Sequence, residues 1–122
     1  MREIEFRGKA SNGEWVCGGY VQKENAICPT TASVKIYVDP NTVGQYTGLR
    51  DIGGVKIFEG DIALYDGKKH EVLFDDGSFF LNPSKKAGCF LVLLGNLGQE
   101  EVSVIGNIHD NPELLEAQND VC

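Results

Sequence analysis

The chain has 122 residues, 42% hydrophobic and 24% charged, with a formal net charge of −7. That length supports one domain with a genuine core, and no apolar run approaches the ~20 residues of a membrane span. The opening MREIEFRGK has no apolar signal core, so the expected setting is a reducing cytoplasm in which cysteines stay as thiols.

Arg2 to Arg7 alternates apolar and charged residues, as a half-buried strand does. Ser11-Asn12-Gly13-Glu14 is a hairpin-type turn, and Trp15 to Val21 is the returning strand. Asn25 to Ser33 reads as a loop. Val34 to Val38 is a third strand, stopped at Asp39-Pro40. Val55 to Phe58 starts a second group, broken at Glu59-Gly60 and resumed over Asp61 to Tyr65. Asp66-Gly67 turns the chain, His70 to Phe74 returns, and Asp75-Asp76-Gly77 turns it again. Ser78 to Leu81 follows, ending at Asn82-Pro83. Cys89 to Leu94 is apolar on both faces, which places it centrally in a sheet or at an interface. Glu101 to Ile108 is the last strand. Asn111-Pro112-Glu113 then has the grammar of a short helix, with Asn111 able to cap it and Leu114 and Leu115 directed at the sheet.

Charge follows the same order. Residues 1–54 hold six Lys/Arg against six Asp/Glu, and residues 55–99 hold five against six. Residues 100–122 hold six acidic groups and no Lys or Arg, so nearly all the excess sits at the C-terminal end. A balanced body does not exclude nucleic acid, but the acidic end would repel it.

Short strands with turn signals every 8–12 residues point to a mainly β protein, β-rich α+β: a small SH3-like barrel or sandwich with an N-terminal hairpin lobe and a short C-terminal helix. One domain over 1–122 is expected. It comprises N-terminal strands (1–38), a glycine-rich junction (39–54), a barrel-like part (55–108) and an acidic helical end (109–122).

The stretch VDPNTVGQYTGLRDIGGVKIFEGDIA, residues 38–63, is dense in glycine, and glycines set turns instead of performing chemistry. The chain resembles the YopX family of phage and prophage proteins. The resemblance is carried by residues 1–7, Val38-Asp39-Pro40, Thr42 to Leu49 with its Gly44-Gln45-Tyr46-Thr47-Gly48 block, and Ile57 to Ile62. Val72 to Phe79, Val104 to Ile108 and Asn111 to Leu115 extend it over nearly the whole chain. Gly53-Gly54 replaces the usual Asn-Gly turn, and Ile57-Phe58 replaces Ile-Tyr, which removes a hydroxyl. Gly8 and Lys9 stand where a Trp or Tyr is usual, and Trp15 is a candidate to fill that space. The resemblance implies phage or prophage origin and a compact protein, with self-association an open alternative. It supplies no settled biochemical activity.

Catalytic, cofactor and metal sites are not expected. Cys17 and Cys28 are too far apart for a zinc knuckle, and His70 and His109 stand alone. Cys89 lies in an apolar run where a thiol is inert, and Cys122 is terminal. Asp75-Asp76-Gly77 lacks the other ligands of a calcium loop. Gly44 to Gly48 lacks the Gly-Lys-Ser/Thr and the helix of a phosphate-binding loop. Gln45, Tyr46 and Thr47 either lock two lobes together or contact a partner, the former being favoured. Asp61 after Gly60 suits a turn-fixing acceptor better than a general base. Lys68, Lys69, Lys85 and Lys86, interleaved with Tyr65 and other aromatics, are the residues single-stranded nucleic acid would use. Solvated turn lysines over core rings are the simpler reading.

The functional expectation is a non-catalytic protein-interaction module, binding a host or phage protein, self-associating, and not bound to a membrane. The alternative is a nucleic-acid-binding accessory protein.

Overall fold

The computed structural model describes residues 4–29, 33–83 and 91–116. The expectations for Met1 to Glu3, Lys85, Lys86, Cys89 and Cys122 lie outside the described residues. Two compact units divide the chain, Met1–Gly48 and Leu49–Cys122.

The first unit is built from β1 (Phe6–Ala10), β2 (Trp15–Val21), β3 (Ala26–Cys28) and the start of β4 (Ile36–Arg50). All pairings are antiparallel, and β1 is hydrogen-bonded on both sides, to β2 and to β4. The sheet is sandwich-like and not a clean barrel. The β1–β2 turn closes with Gly13 N–H donating to Ala10 O at 2.9 Å and Ala10 N–H donating to Glu14 O at 2.9 Å. Gly13 sits at φ +86°, the left-handed residue of a three-residue hairpin loop. A Cβ at Gly8 would come within 2.9 Å of Val38 Cγ2 and 3.2 Å of Ile27 Cδ1. The small residue there lets β1 close on the buried Ile27 and Val38.

Two local expectations change. Ala26–Cys28 is a strand where a loop is expected; it pairs with β2 at Gly19↔Cys28 and with β4 at Ile27↔Ile36. The third strand does not stop at Asp39-Pro40 but runs on to Arg50. It does so through an irregularity in which Lys9 faces Asp39 while Arg7 faces Gly44. A bulge of this kind leaves residues outside the ladder, so the missing N–H of Pro40 costs no strand hydrogen bond.

The second unit holds a five-stranded antiparallel sheet in the order β10-β6-β7-β8-β9. Its strands are β6 (Asp61–Tyr65), β7 (Lys68–Asp75), β8 (Ser78–Asn82), β9 (Val92–Leu93) and β10 (Ser103–Asn107). Strand β5 (Lys56–Phe58) precedes them and pairs with β4, and α1 (Glu113–Glu116) follows. The β6–β7 and β7–β8 turns have two residues each at positive φ: Asp66 (53°) with Gly67 (75°), and Asp76 (49°) with Gly77 (81°). Their mirror-image turns match the twist of the flanking strands. Ile57, Ala63, Val72, Phe79, Leu81, Leu94 and Val102 form the core. Each of the larger side chains among them contributes about 1.5–3 kcal/mol by leaving water.

The described part of the apolar run ending at Leu94 is not central among the described strands of this sheet. Val92 and Leu93 form its short edge strand, and Leu94 turns into the core from a 3-10 turn, Leu94–Asn96. Asn111 is used differently from a simple cap. Its side-chain oxygen accepts from Asn107 N–H at 3.3 Å, while its backbone carbonyl accepts from Leu114 N–H at 3.1 Å. A Cβ at Gly106 would lie 3.0 Å from Leu114 Cδ1, so that side chain reaches β10, while α1 itself packs near β7.

Candidate functional site

The second unit begins with a hairpin, residues 49–56, organised by one buried carboxylate. Asp51 is 3% exposed. Its Oδ1 accepts the backbone N–H of Gly53 at 2.9 Å and of Val55 at 2.8 Å. Its Oδ2 accepts Val104 N–H in β10 at 2.8 Å. Its own N–H donates to Val55 O at 2.8 Å, and its carbonyl accepts from Gly54 N–H at 2.9 Å and from Gln99 Nε2 at 2.8 Å. Ile52 N–H donates to Val102 O at 3.0 Å. Gly54 takes φ +83°, the conformation a three-residue loop needs at its last position. Hydrogen bonds from neutral N–H groups to a carboxylate are stronger than neutral pairs, and burial strengthens them further. The loop is therefore held at both its stem and its tip.

What this rigid loop presents is apolar. Leu49 is 38% exposed, Ile52 61% and Val55 52%. Arg50 borders them, exposed, with Nη1–H donating to Gly54 O at 2.9 Å. Sequence reasoning missed Asp51. The available signal was Asp-Ile-Gly-Gly between two apolar-alternating segments, an Asx turn leading into a left-handed glycine.

The family-motif residues fall on two units. Gly44 to Gly48 lie within β4, where Gln45 faces Phe6 and Gly44 faces Arg7 of β1. Tyr46 N–H donates to Glu5 O at 2.7 Å, and Tyr46 and Thr47 are both buried. Gly60 and Asp61 lie together in the second unit. Gly60, at φ +94°, donates its N–H to Val72 O at 2.9 Å and accepts from Ile108 N–H at 2.9 Å. Buried Asp61 accepts Phe58 N–H on Oδ2 at 2.8 Å, across the turn between β5 and β6.

Lys68, Lys69 and Tyr65 meet at the β6–β7 hairpin, where Tyr65 faces Lys68 and Leu64 faces Lys69. Lys68 is exposed, but the Tyr65 ring packs on the core and meets the His70 ring edge-on, 5.6 Å between centroids. A ring so placed is partly engaged with the core and only partly exposed. Buried His70 donates its Nδ1–H to Lys68 O at 2.9 Å; because a carbonyl only accepts, the proton is on Nδ1. Burial holds its pKa below the ordinary histidine value. Glu71 beside it is pushed up, by burial first and then by the charge of Glu59.

Among the described residues no group of three or more His, Cys, Asp or Glu is placed to hold a metal ion, and no helix is long and apolar enough to cross a membrane. Cys17 and Cys28 form no disulfide with each other. In the first unit, an open groove of about 480 Å³ lies between the β1–β2 turn and β4, walled by Lys9, Ser11, Tyr37, Asp39 and Thr42. Thr42 Oγ1 accepts Lys9 N–H at 2.9 Å and donates to Asp39 O at 2.6 Å, so its hydroxyl is committed to the strand irregularity.

Comparison with known proteins gives a consistent picture. The family model described as YopX protein matches residues 2–116. No curated protein matches the chain. Among solved structures, the crystal structure of protein EF1440 from Enterococcus faecalis is similar, with a TM-score of 0.58 and 27% sequence identity. That match covers 94% of this chain and 99% of the other.

Proposed function

This chain belongs to the YopX family, and from that premise we propose that it works by binding other proteins and not by catalysis. In this reading it is a phage or prophage accessory protein of the bacterial cytoplasm, able to associate with itself and with a host or phage protein. The observation that carries the reading is the hairpin around Asp51. Aliphatic side chains that face solvent are ordinary when scattered. Here three of them fall within one short hairpin whose backbone is fixed by a buried carboxylate. Preorganisation lowers the ordering cost of association, and apolar side chains on a rigid frame supply its driving force.

The nucleic-acid alternative has less support. Of its aromatic candidates, Tyr65 packs partly on the core while Phe74 is exposed, and of the two hairpin lysines Lys68 is exposed and Lys69 half-buried.

The test is recovery of the tagged full chain from a bacterial lysate, with and without nuclease. A protein recovered equally in both arms is the expected result. Recovery that collapses with nuclease, or none above a control tag, contradicts the interaction reading. The former would favour nucleic acid, with binding that weakens steeply as salt rises.

A further inference from the structure

We propose that Cys17 and Cys28, on the outer face of the first unit's sheet, form a two-thiol site for a soft monovalent cation of the cuprous type. The ten residues between them exclude a zinc knuckle, but the antiparallel pairing of β2 with β3 folds the two cysteines back toward each other.

Register decides which side each side chain takes. Phe6 pairs with Gly18, and the Phe6 ring meets the Tyr20 ring at 5.6 Å between centroids, so residues 18 and 20 share a face. Tyr20 pairs with Ile27, which is fully buried, so that face is the inner one. Alternation then turns Cys17 and Gly19 outward, together with Cys28, which pairs with Gly19. Cys17 is exposed and Cys28 half-buried. A Cβ built on Gly19 would meet nothing within 4 Å. Position 19 is therefore an open slot, with Cys28 directly across from it and Cys17 two residues back along β2.

Distance selects the chemistry. Diagonal neighbours in an antiparallel pair have Cα atoms ~7–8 Å apart and Cβ atoms somewhat closer. A disulfide needs Cβ atoms about 3.5–4.5 Å apart, so this diagonal is too long for one. An ion about 2.3 Å from each sulfur spans about 4.6 Å between them, within reach of two side chains leaning into the empty slot. Among the described residues no group of three or more His, Cys, Asp or Glu is gathered, so the tetrahedral set that zinc prefers is lacking. Thiolate ligands select soft ions such as cuprous copper, which two thiolates suffice to hold. On binding, each thiol gives its proton to solvent and each sulfur donates an electron pair to the ion, with no change of oxidation state. The bridged pair carries one net negative charge. A cationic residue stands across from each thiol to offset it. Arg7 pairs with Cys17. Lys35, held first by Glu24 at 2.6 Å, lies one residue beyond the Ile27↔Ile36 pair, level with Cys28 and in electrostatic contact with it.

The experiment is anaerobic titration of the full chain with cuprous ion, in competition with a chromophoric chelator. Cys89→Ser and Cys122→Ser are present throughout, so that Cys17 and Cys28 are the remaining thiols. Matched melting temperatures confirm that every variant is folded. One ion per chain is expected. Cys17→Ser and Cys28→Ser should each weaken binding at least about tenfold, since each removes a ligand. Gly19→Val keeps both thiols, suits a strand and fills the slot, and it should weaken binding by a similar factor while a thiol reagent still counts both cysteines. No binding by the parent chain overturns the inference. Binding that ignores the loss of either thiol marks an adventitious ion only and overturns it too, as does binding that needs both thiols yet is unmoved by Gly19→Val.

Discussion

Asp51 concentrates more of the local order than any neighbour, because one carboxylate serves three backbone donors from two parts of the second unit. An asparagine has the same shape but one fewer acceptor. In Asp51→Asn either Val104 N–H or the Gly53 and Val55 pair must face an amide N–H. The expected loss is about 1–3 kcal/mol in chemical denaturation, the penalty for leaving a buried donor unsatisfied. An unchanged midpoint would show that the carboxylate is incidental. His70 gives a second prediction, in pH. Its folded pKa is depressed, so above its ordinary value of about 6.5 both folded and unfolded forms are neutral and it costs nothing. As pH falls through that value the unfolded chain takes the proton first, and stability drops until the folded pKa is passed. Glu71, raised, works the other way: its burden on the folded state is relieved as pH falls through its folded value. His70→Phe should flatten the decline in melting temperature just below pH about 6.5, whereas an identical decline would place its origin elsewhere. Neither residue was legible as structural from sequence alone. The ties that hold Asp51 come from Gln99, Val102 and Val104, far along the chain, and His70 is buried in a folded sheet where it meets Tyr65 edge-on.

At the scale of elements, turns were the most readable part. Asp66-Gly67 and Asp76-Gly77 supply the two positive φ angles of a mirror-image turn, and both appear where the sequence places them. Strand ends were less readable. Pro40 signals a stop by losing its N–H, but β4 continues because the strand leaves the ladder there. A run ending at Leu94 that is apolar on both faces points to a central strand or to an interface. Its described part is a sheet edge, with Leu94 turned inward by a 3-10 turn. Two backbone positions test this level. Gly54→Ala forces a Cβ onto φ +83°, with open space around it, so its cost is conformational and should be about 1 kcal/mol. Gly8→Val meets Val38 Cγ2 within 2.9 Å and should cost about 1–3 kcal/mol by overpacking. Urea titration of both variants checks these values, and a neutral Gly8→Val would mean that β1 does not pack so closely on Ile27 and Val38.

For the molecule as a whole, the family and the mainly β architecture with its short C-terminal helix were both within reach of the sequence. Strand alternation, turn dipeptides and the Gly44–Gly48 block are local signals. The hairpin proposed as an interaction surface was not within reach, because exposure is a property of the folded surface. Leu49, Ile52 and Val55 look like ordinary strand residues until the chain is folded around Asp51. The account stands on the proposal that this hairpin is where the protein meets its partners. The most direct measurement compares wild type with the Ile52→Asp, Val55→Asp variant at equal thermal stability, each recovered from the same nuclease-treated lysate. The account predicts that partner recovery falls at least about tenfold in the variant, as for residues at the centre of an interface. Equal recovery by the two proteins would contradict it.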